Sequence, residues 1–251
     1  MKVAENIVSV LRMLVRSTQD ISVAEVARHI GLNRSSASRL LATLRDGGLV
    51  EQSPTTHKYR PGVLALQLGM RSKTSFDVLE WVTAQSETIV QKTGHTVCIG
   101  VLEKNDLTIV ATRRRPTPIY LALNVGTTIH AHASAMGKVI LAQMSDTEVR
   151  ATLPEELEKL ASGTKDNIDD LLTDLKPIRS NGYAISHNEL SEGIASYAVA
   201  VELRKNLTVA VGVAFFTNEQ HSDEYTIISA LLEFKKVVSD NLSLTNEYRD
   251  E

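Results

Sequence analysis

Apolar residues at helical spacing open the chain. Ile7, Val8, Leu11, Leu14 and Val15 place a first helix near residues 4–16. The polar run "STQD" ends it. Ser22, with Glu25 three residues on, has the capping-box pattern, so a second helix begins there with Val23, Val26, Ala27 and Ile30 as its buried stripe. Gly31 suits the left-handed position beyond that helix. Asn33 caps a third helix, which "DGG" at 46–48 stops. Leu49–Gln52 and Lys58–Arg60 read as short strands around a turn at residues 53–56. Pro61 is placed to open the next helix, where a missing N–H costs nothing. Three helices and a hairpin predict a winged helix-turn-helix over residues 1–61, mainly α with a β-hairpin wing.

The pattern then changes. Gly62–Arg71 and Phe76–Lys92 read as helices, the second with Val78, Val82 and Ile89 on one face and Gly94 as its stop. Residues 62–76 are read as a linker helix and 77–251 as a second domain. "TVCIGVLEKNDLTIVATRRR" gives two strands about a turn at Lys104–Asp106, and "IYLAL" a third. Helices are expected at Ala135–Met144, Asp146–Thr152 and Ile168–Asn181. Strands are expected at Tyr183–His187, Ala195–Val201 and Thr208–Phe215, with a closing helix at Asp223–Leu242 and a polar tail. Hairpins interleaved with helices predict an α+β domain, a curved antiparallel sheet with helices packed on it.

Charge divides along the same boundary. Residues 1–75 hold 11 Lys and Arg against 5 Asp and Glu, a net +6, and the remainder is −9. A basic head on an acidic body fits a head that meets a polyanion; chance variation of surface charge explains it equally well. Cys98 is the only cysteine, so neither an internal disulfide nor a cysteine metal cluster can form. The first residues lack the apolar core of a signal peptide, and no apolar run approaches the roughly 18 residues of a membrane span. A cytoplasmic protein with no membrane partner is expected.

The third helix carries the most specific chemistry. With Ala37, Leu40, Leu41 and Leu44 buried, Ser35 and Arg39 point directly away from the core, Ser36 and Ser38 lie on the flanks, and Arg34 sits in the first turn. In a helix-turn-helix the second helix enters the major groove with its N-terminal residues leading. Arginine bonds guanine through two acceptors, and serine serves base edges or phosphates. Ser22 and Asn33, at the helix starts, join Arg34, Ser35, Ser36, Ser38 and Arg39 as candidate DNA contacts, with His57, Lys58 and Arg60 of the wing. A solvated face, or a winged helix used for protein contacts, is the bland alternative. One head makes few phosphate contacts, so a dimer reading half-sites about 34 Å apart is expected.

"GLNRSSASRLLATLRDGGLVE" resembles the recognition-helix signature of the IclR family of bacterial transcriptional regulators. Arg39, Leu40 and Leu41 match it directly, while Asn33, Arg34, Ser36 and Ser38 stand where proline, lysine, threonine and histidine are usual. "VGTTIHAHASAMGKVILA" (Val125–Ala142) and "IRSNGYAISHNELSEGIASYAVAV" (Ile178–Val201) resemble two segments of that family's second domain. The resemblance implies a homodimer or dimer of dimers that binds an operator in double-stranded DNA, expected to be a repressor, with a GAF-like C-terminal domain receiving a small-molecule effector. It places the pocket at Ala135, Met136, Gly137, Ser186, Ser196, Gly212 and Ala214. Ser186 stands where an acid is frequent, Ser196 for a cysteine, Gly212 and Ala214 for serines, and Ala200 for a proline. The expected pocket is less polar than in carboxylate-sensing relatives, and the expected effector is a weakly polar or aromatic carboxylate met by the N–H groups near Ala135, Met136 and Gly137. The alternative is a C-terminal domain that only oligomerises, its pocket filled by side chains such as Met136.

Other signals are set aside. His130 and His132 would share one face of a strand, but no third metal ligand is evident, and His132 reads as structural. Gly137–Lys138 lacks the spacing of a phosphate loop, and Lys138 is expected to face solvent or a subunit contact. "TRRRP" at 112–116 reads as a solvated run, with a subunit or auxiliary DNA contact as the lesser readings. Nothing orients Ser186–His187 or Cys98 for catalysis, so no enzyme, cofactor or metal is expected.

Overall fold

In the computed structural model the described residues are 2–17, 19–71, 73–114, 123–204, 207–219 and 223–247. The chain divides into two compact units, residues 1–77 and 78–251.

The first unit contains α1 (Lys2–Arg16), α2 (Val23–Ile30), α3 (Arg34–Asp46), β1 (Val50–Gln52), β2 (Tyr59–Pro61) and α4 (Val63–Arg71). Local chemistry sets each boundary. Ser22 Oγ accepts from the Glu25 N–H at 3.3 Å, and Glu25 Oε2 accepts from the Ser22 N–H at 2.7 Å, closing the capping box. Gly31, at φ +67°, adopts the left-handed cap that a side chain would strain. Asn33 Oδ1 accepts from the Ser36 N–H at 2.8 Å and starts α3. Val10, Leu14, Val26, Ala37, Leu41, Leu44 and Tyr59 pack into one core. Ile21 and Tyr59 exchange two backbone bonds of 2.8 Å, tying the segment before α2 to the wing. Pro61 does not open a helix. It pairs with Val50 as the last residue of β2, where an edge strand tolerates a missing donor, and the Gly62 N–H then bonds Leu49 O at 2.9 Å. The helix therefore waits until Val63.

The division between units falls within α5 (Lys73–Gln85), which is followed by α6 (Glu87–Thr93). The single helix expected over Phe76–Lys92 is thus two. Ser86 between them is fully buried and donates its hydroxyl to Thr83 O at 2.7 Å. Gly94, at φ +70°, closes α6. Next come β3 (Val97–Glu103), β4 (Asp106–Arg113), β5 (Thr128–His130), α7 (Ala135–Leu141), α8 (Asp146–Thr152), α9 (Ile168–Asn181), β6 (Tyr183–His187), β7 (Ile194–Arg204), β8 (Leu207–Phe216) and α10 (Glu224–Glu247). Of the "IYLAL" segment, residues 119–122 lie outside the described residues. β4 pairs with β3 on one side and on the other with β5, too short to announce itself in the sequence. Helix α7 ends three residues before the expected Met144.

Among the described residues six strands pair antiparallel in the order β5-β4-β3-β8-β7-β6, with register shifts at Ile99/Gly100 and Glu202/Arg204 that bend the sheet. Alternation divides its residues. Val97, Ile99, Tyr197, Val199, Val211 and Val213 face α6 and α10, and their branched and aromatic side chains fill that core. Cys98, Ala184, Ala198, Ala200 and Ala210 face α7, α8 and α9. The second face is unusually small in side-chain volume, and α7 comes close to it. A methyl group at Gly137 would lie 2.2 Å from Ala131 O and 2.3 Å from Ala131 Cα, in the turn that precedes α7. Gly137→Ala must therefore push α7 away from its own entry turn. The expected loss is about 1–3 kcal/mol or more of stability in the second unit, read by urea unfolding; an unchanged midpoint would show that α7 has room to move.

Candidate nucleic-acid interface and small-molecule site

On α3, Ala37, Leu41 and Leu44 are buried, while Asn33, Arg34, Ser35, Ser38 and Arg39 are exposed and Ser36 is half-buried. The capping residues are already engaged. Asn33 Oδ1 accepts from the Ser35 hydroxyl at 2.9 Å as well as from Ser36 N–H, and Ser22 Oγ belongs to the capping box. These two set where the helices begin. The groups left outward are Arg34, Ser38 and Arg39, with no ion pair among the described residues. The Thr43 hydroxyl, one turn beyond Arg39 and missed in the sequence reading, donates to Arg39 O at 3.0 Å. Arg45 is neutralised by Asp46 at 2.9 Å.

The wing is less free than its sequence implies. Arg60 is paired across the hairpin with Glu51. His57 is exposed at φ +55°, and its carbonyl accepts from Gln52 Nε2 at 3.0 Å. Lys58 is half-buried and lies near Glu25, whose carboxyl sits below the ordinary range chiefly because Ser22 donates to it, with a smaller effect of Lys58.

In the second unit the strand register gathers the expected pocket residues on the small-residue face. Ser186 pairs with Ser196 and Ser196 with Ala214, one row across β6, β7 and β8; Gly212 pairs with Ala198 and Cys98 one row along. Helix α7 starts over this row, because the Ala135 N–H donates to Ser196 Oγ at 3.3 Å. Ser134 Oγ accepts from the Gly137 N–H at 3.1 Å. Two of the three amides expected to meet an anion are therefore already satisfied within the chain. Met136 lies flat over two glycines. A methyl group at Gly212 would be 2.9 Å from Met136 Cγ, and one at Gly100 would be 3.2 Å from Met136 Cε. Burial on this face pushes the Cys98 thiol up to about 12, so it stays protonated and unreactive at neutral pH.

Residues 3–54 match the IclR helix-turn-helix domain, and residues 70–240 match the C-terminal domain of bacterial IclR transcriptional regulators. The chain belongs to the IclR family. It is 30% identical over 216 residues to the glycerol operon regulatory protein of Streptomyces griseus, covering 83% of this chain and 82% of that one. It is 23% identical over 207 residues to the HTH-type transcriptional regulator XynR of Escherichia coli, covering 82% of each. An IclR transcriptional regulator from Alicyclobacillus acidocaldarius has the same fold, with a TM-score of 0.81 at 23% identity over 96% of this chain and 98% of that one. So has an IclR homologue from Microbacterium hydrocarbonoxydans complexed with 4-hydroxybenzoate, with a TM-score of 0.79 at 18% identity over 96% and 99%. IclR membership makes the protein a DNA-binding transcriptional regulator in class, and its α3 is the second helix of the helix-turn-helix pair.

Two expectations, for the histidine pair and for Lys138, do not hold. His130 and His132 do not share a strand face: His130 ends β5 and His132 lies in a 3-10 turn, their ring centres 5.7 Å apart. His130 Nδ1 is 3.2 Å from Asp106, whereas the His132 Nε2–H donates to Glu158 O at 2.9 Å, and burial holds the His132 pKa below its ordinary value. Among the described residues no set of three or more His, Cys, Asp or Glu is arranged for a metal, and no helix is long and apolar enough to cross a membrane. Arg113 meets Glu87 and Arg114 meets Asn124; Arg115 and Pro116 of that run lie outside the described residues. Lys138 is not at the surface but 2% exposed, bonded to Asp174 at 2.8 Å and Glu189 at 2.7 Å. Its partners lie far along the chain, where local pattern does not reach.

Ser196→Ala should leave the buried Ala135 N–H without an acceptor. The expected destabilisation is about 1–3 kcal/mol, measured by denaturant unfolding; a loss under a few tenths would mean that α7 finds another acceptor.

Proposed function

We propose that the protein is a transcriptional repressor whose α3 reads an operator and whose affinity is set by a small molecule held over the Ser186–Ser196–Ala214 row. The observation that carries the DNA reading is the outward face of α3. Arg34, Ser38 and Arg39 stand exposed without internal salt partners on a helix whose other side is the core. In a major groove Arg39 meets a guanine edge, the serines permit close approach, and Lys58 meets phosphate. Ser35, Ser36 and His57 are secondary contacts. Ser22, Asn33 and Arg60 act indirectly, by fixing the helix starts and the wing. Two copies, as a dimer or dimer of dimers, place two such helices on half-sites about 34 Å apart. The setting is the cytoplasm.

The effector reading rests on the small-residue face. It offers the hydroxyls of Ser186 and Ser196 among glycine, alanine and methionine, and the buried Lys138 of α7 is already bonded to Asp174 and Glu189. A flat, mostly apolar molecule with one or two polar groups suits it. The 4-hydroxybenzoate held by the Microbacterium relative is of that kind. A ligand that binds one arrangement of the heads better than the other shifts operator affinity by its differential affinity. A second reading is favoured by Met136: seated on Gly100 and Gly212, it fills the face itself, and the unit then serves only to oligomerise.

Two measurements test these readings. Arg39→Ala should weaken operator binding by about 1–3 kcal/mol and relax base preference at one position, whereas Lys58→Ala should lower affinity for all sequences and reduce the salt slope by about one; equal effects on operator and scrambled DNA for both variants would remove Arg39 from base reading. A thermal-shift screen of hydroxylated and aromatic carboxylates should find a compound that raises the melting temperature and alters operator affinity. A screen in which Met136→Ala gains stabilisation from small aromatics while the parent protein gains none would establish the oligomerisation-only reading.

A further inference from the structure

The buried cluster around Lys138 is used neither by DNA reading nor by the serine row. Lys138 rises from α7, and its ammonium bonds Asp174 Oδ2 of α9 and Glu189 Oε1 of the β6–β7 loop. The lysine side chain is 2% exposed, that of Glu189 8% and that of Asp174 30%. Glu189 Oε2 is buried and is the one buried side-chain polar atom among the described residues that no hydrogen bond satisfies. Its neighbourhood is tightly made. Thr164 donates its hydroxyl to Glu189 O at 2.5 Å, and the Gly163 N–H bonds Asn188 O at 2.8 Å. These bonds fix the main chain at Glu189, and its side chain is held through Oε1 by Lys138.

Charge counting exposes the imbalance. Two carboxylates share one bonded ammonium, Asp174 is partly open to water, and the carboxylate oxygen left without a donor is the buried Glu189 Oε2. A buried unpaired charge is costly, and such groups neutralise instead. We propose that the Lys138–Asp174–Glu189 cluster is a proton-binding site that carries one proton on Glu189, leaving Lys138 and Asp174 as the ion pair. The charged groups that face Glu189 are Lys138 from α7, Asp174 from α9 and, through space, Lys165 from the segment before α9. Burial raises the Glu189 carboxyl above its ordinary range and outweighs the attraction of Lys138, in keeping with the geometry. A raised pKa in the folded state gives stability that is present at low pH and lost as pH rises through the raised value. The proton sits on the loop that joins the two serine-bearing strands, so the charge state of the cluster governs how firmly that turn is seated beside α7.

The test compares the full-length protein with Glu189→Gln, which copies the neutral acid, and with Lys138→Met. The first readout is the carboxylic-acid C=O stretch in infrared difference spectra across a titration from about pH 5 to about pH 9. A band present in the parent protein above the ordinary carboxylate range and missing from Glu189→Gln is the expected result. The second is melting temperature over the same range. Glu189→Gln should melt no lower than the parent at the alkaline end, with the gap in its favour shrinking as pH falls. Lys138→Met should melt several degrees lower throughout, and if it fails to fold, the glutamine variant still decides. A glutamine variant that melts well below the parent at high pH, or a parent protein without the acid band, would overturn the proposal. Repeating the series in sodium, potassium and ammonium chloride separates the sources of charge: a stabilisation by potassium or ammonium that Glu189→Gln abolishes would replace the proton by a bound cation and overturn it as well.

Discussion

The close approach of α7 to the sheet is the constraint on which the second unit depends. A helix can come this near only where the facing residues have almost no side chain. Gly100, Ala198, Ala210 and Gly212 supply that floor, and Gly137 supplies the matching gap against Ala131. Everything of chemical interest follows from the proximity. Ser196 reaches the first amide of α7, Met136 lies across two glycines, and Lys138 is carried into the interior, where Asp174 and Glu189 hold it. The opposite face, under α10, obeys a different rule and is filled by valine, tyrosine and phenylalanine. One sheet thus carries one face packed with large side chains and one of small residues under α7.

The first unit divides its polar residues in a comparable way. Residues that open helices spend their side chains on backbone N–H groups, as Ser22 and Asn33 do, and are fixed in one geometry. Residues one turn further on α3 have no such duty and stay outward. A groove reader needs both: rigid placement of the helix, and side chains whose hydrogen-bonding capacity is unspent. Glu51 adds a restraint by holding Arg60, so the wing presents less positive charge than its residue count implies.

What could be read from sequence was what depends on neighbours in sequence. Helix starts at Ser22 and Asn33, the glycine stops at Gly31 and Gly94, and the bounds of α8, α9 and β6 follow from capping chemistry and periodicity. What failed depends on distant contacts. The helix divides at Ser86, whose hydroxyl is buried and bonded to Thr83 O, and a polar residue in an amphipathic pattern does not reveal that. Pro61 extends a strand because Val50 is there to pair with it. Lys138 read as a surface lysine because Asp174 and Glu189 arrive from 36 and 51 residues away. The pocket row was legible only through family resemblance; the satisfied amides of Ala135 and Gly137 and the placement of Met136 required the fold.

The central claim is that α3 reads a specific DNA sequence. The most direct measurement is the affinity of the purified protein for DNA from upstream of its own gene and its neighbours, across a salt series, against scrambled DNA of the same composition. The account predicts a preferred site, symmetric about two half-sites, bound far more tightly than the scrambled control and losing affinity steeply as salt rises. Binding to the upstream DNA no better than to scrambled DNA at every salt concentration would contradict it.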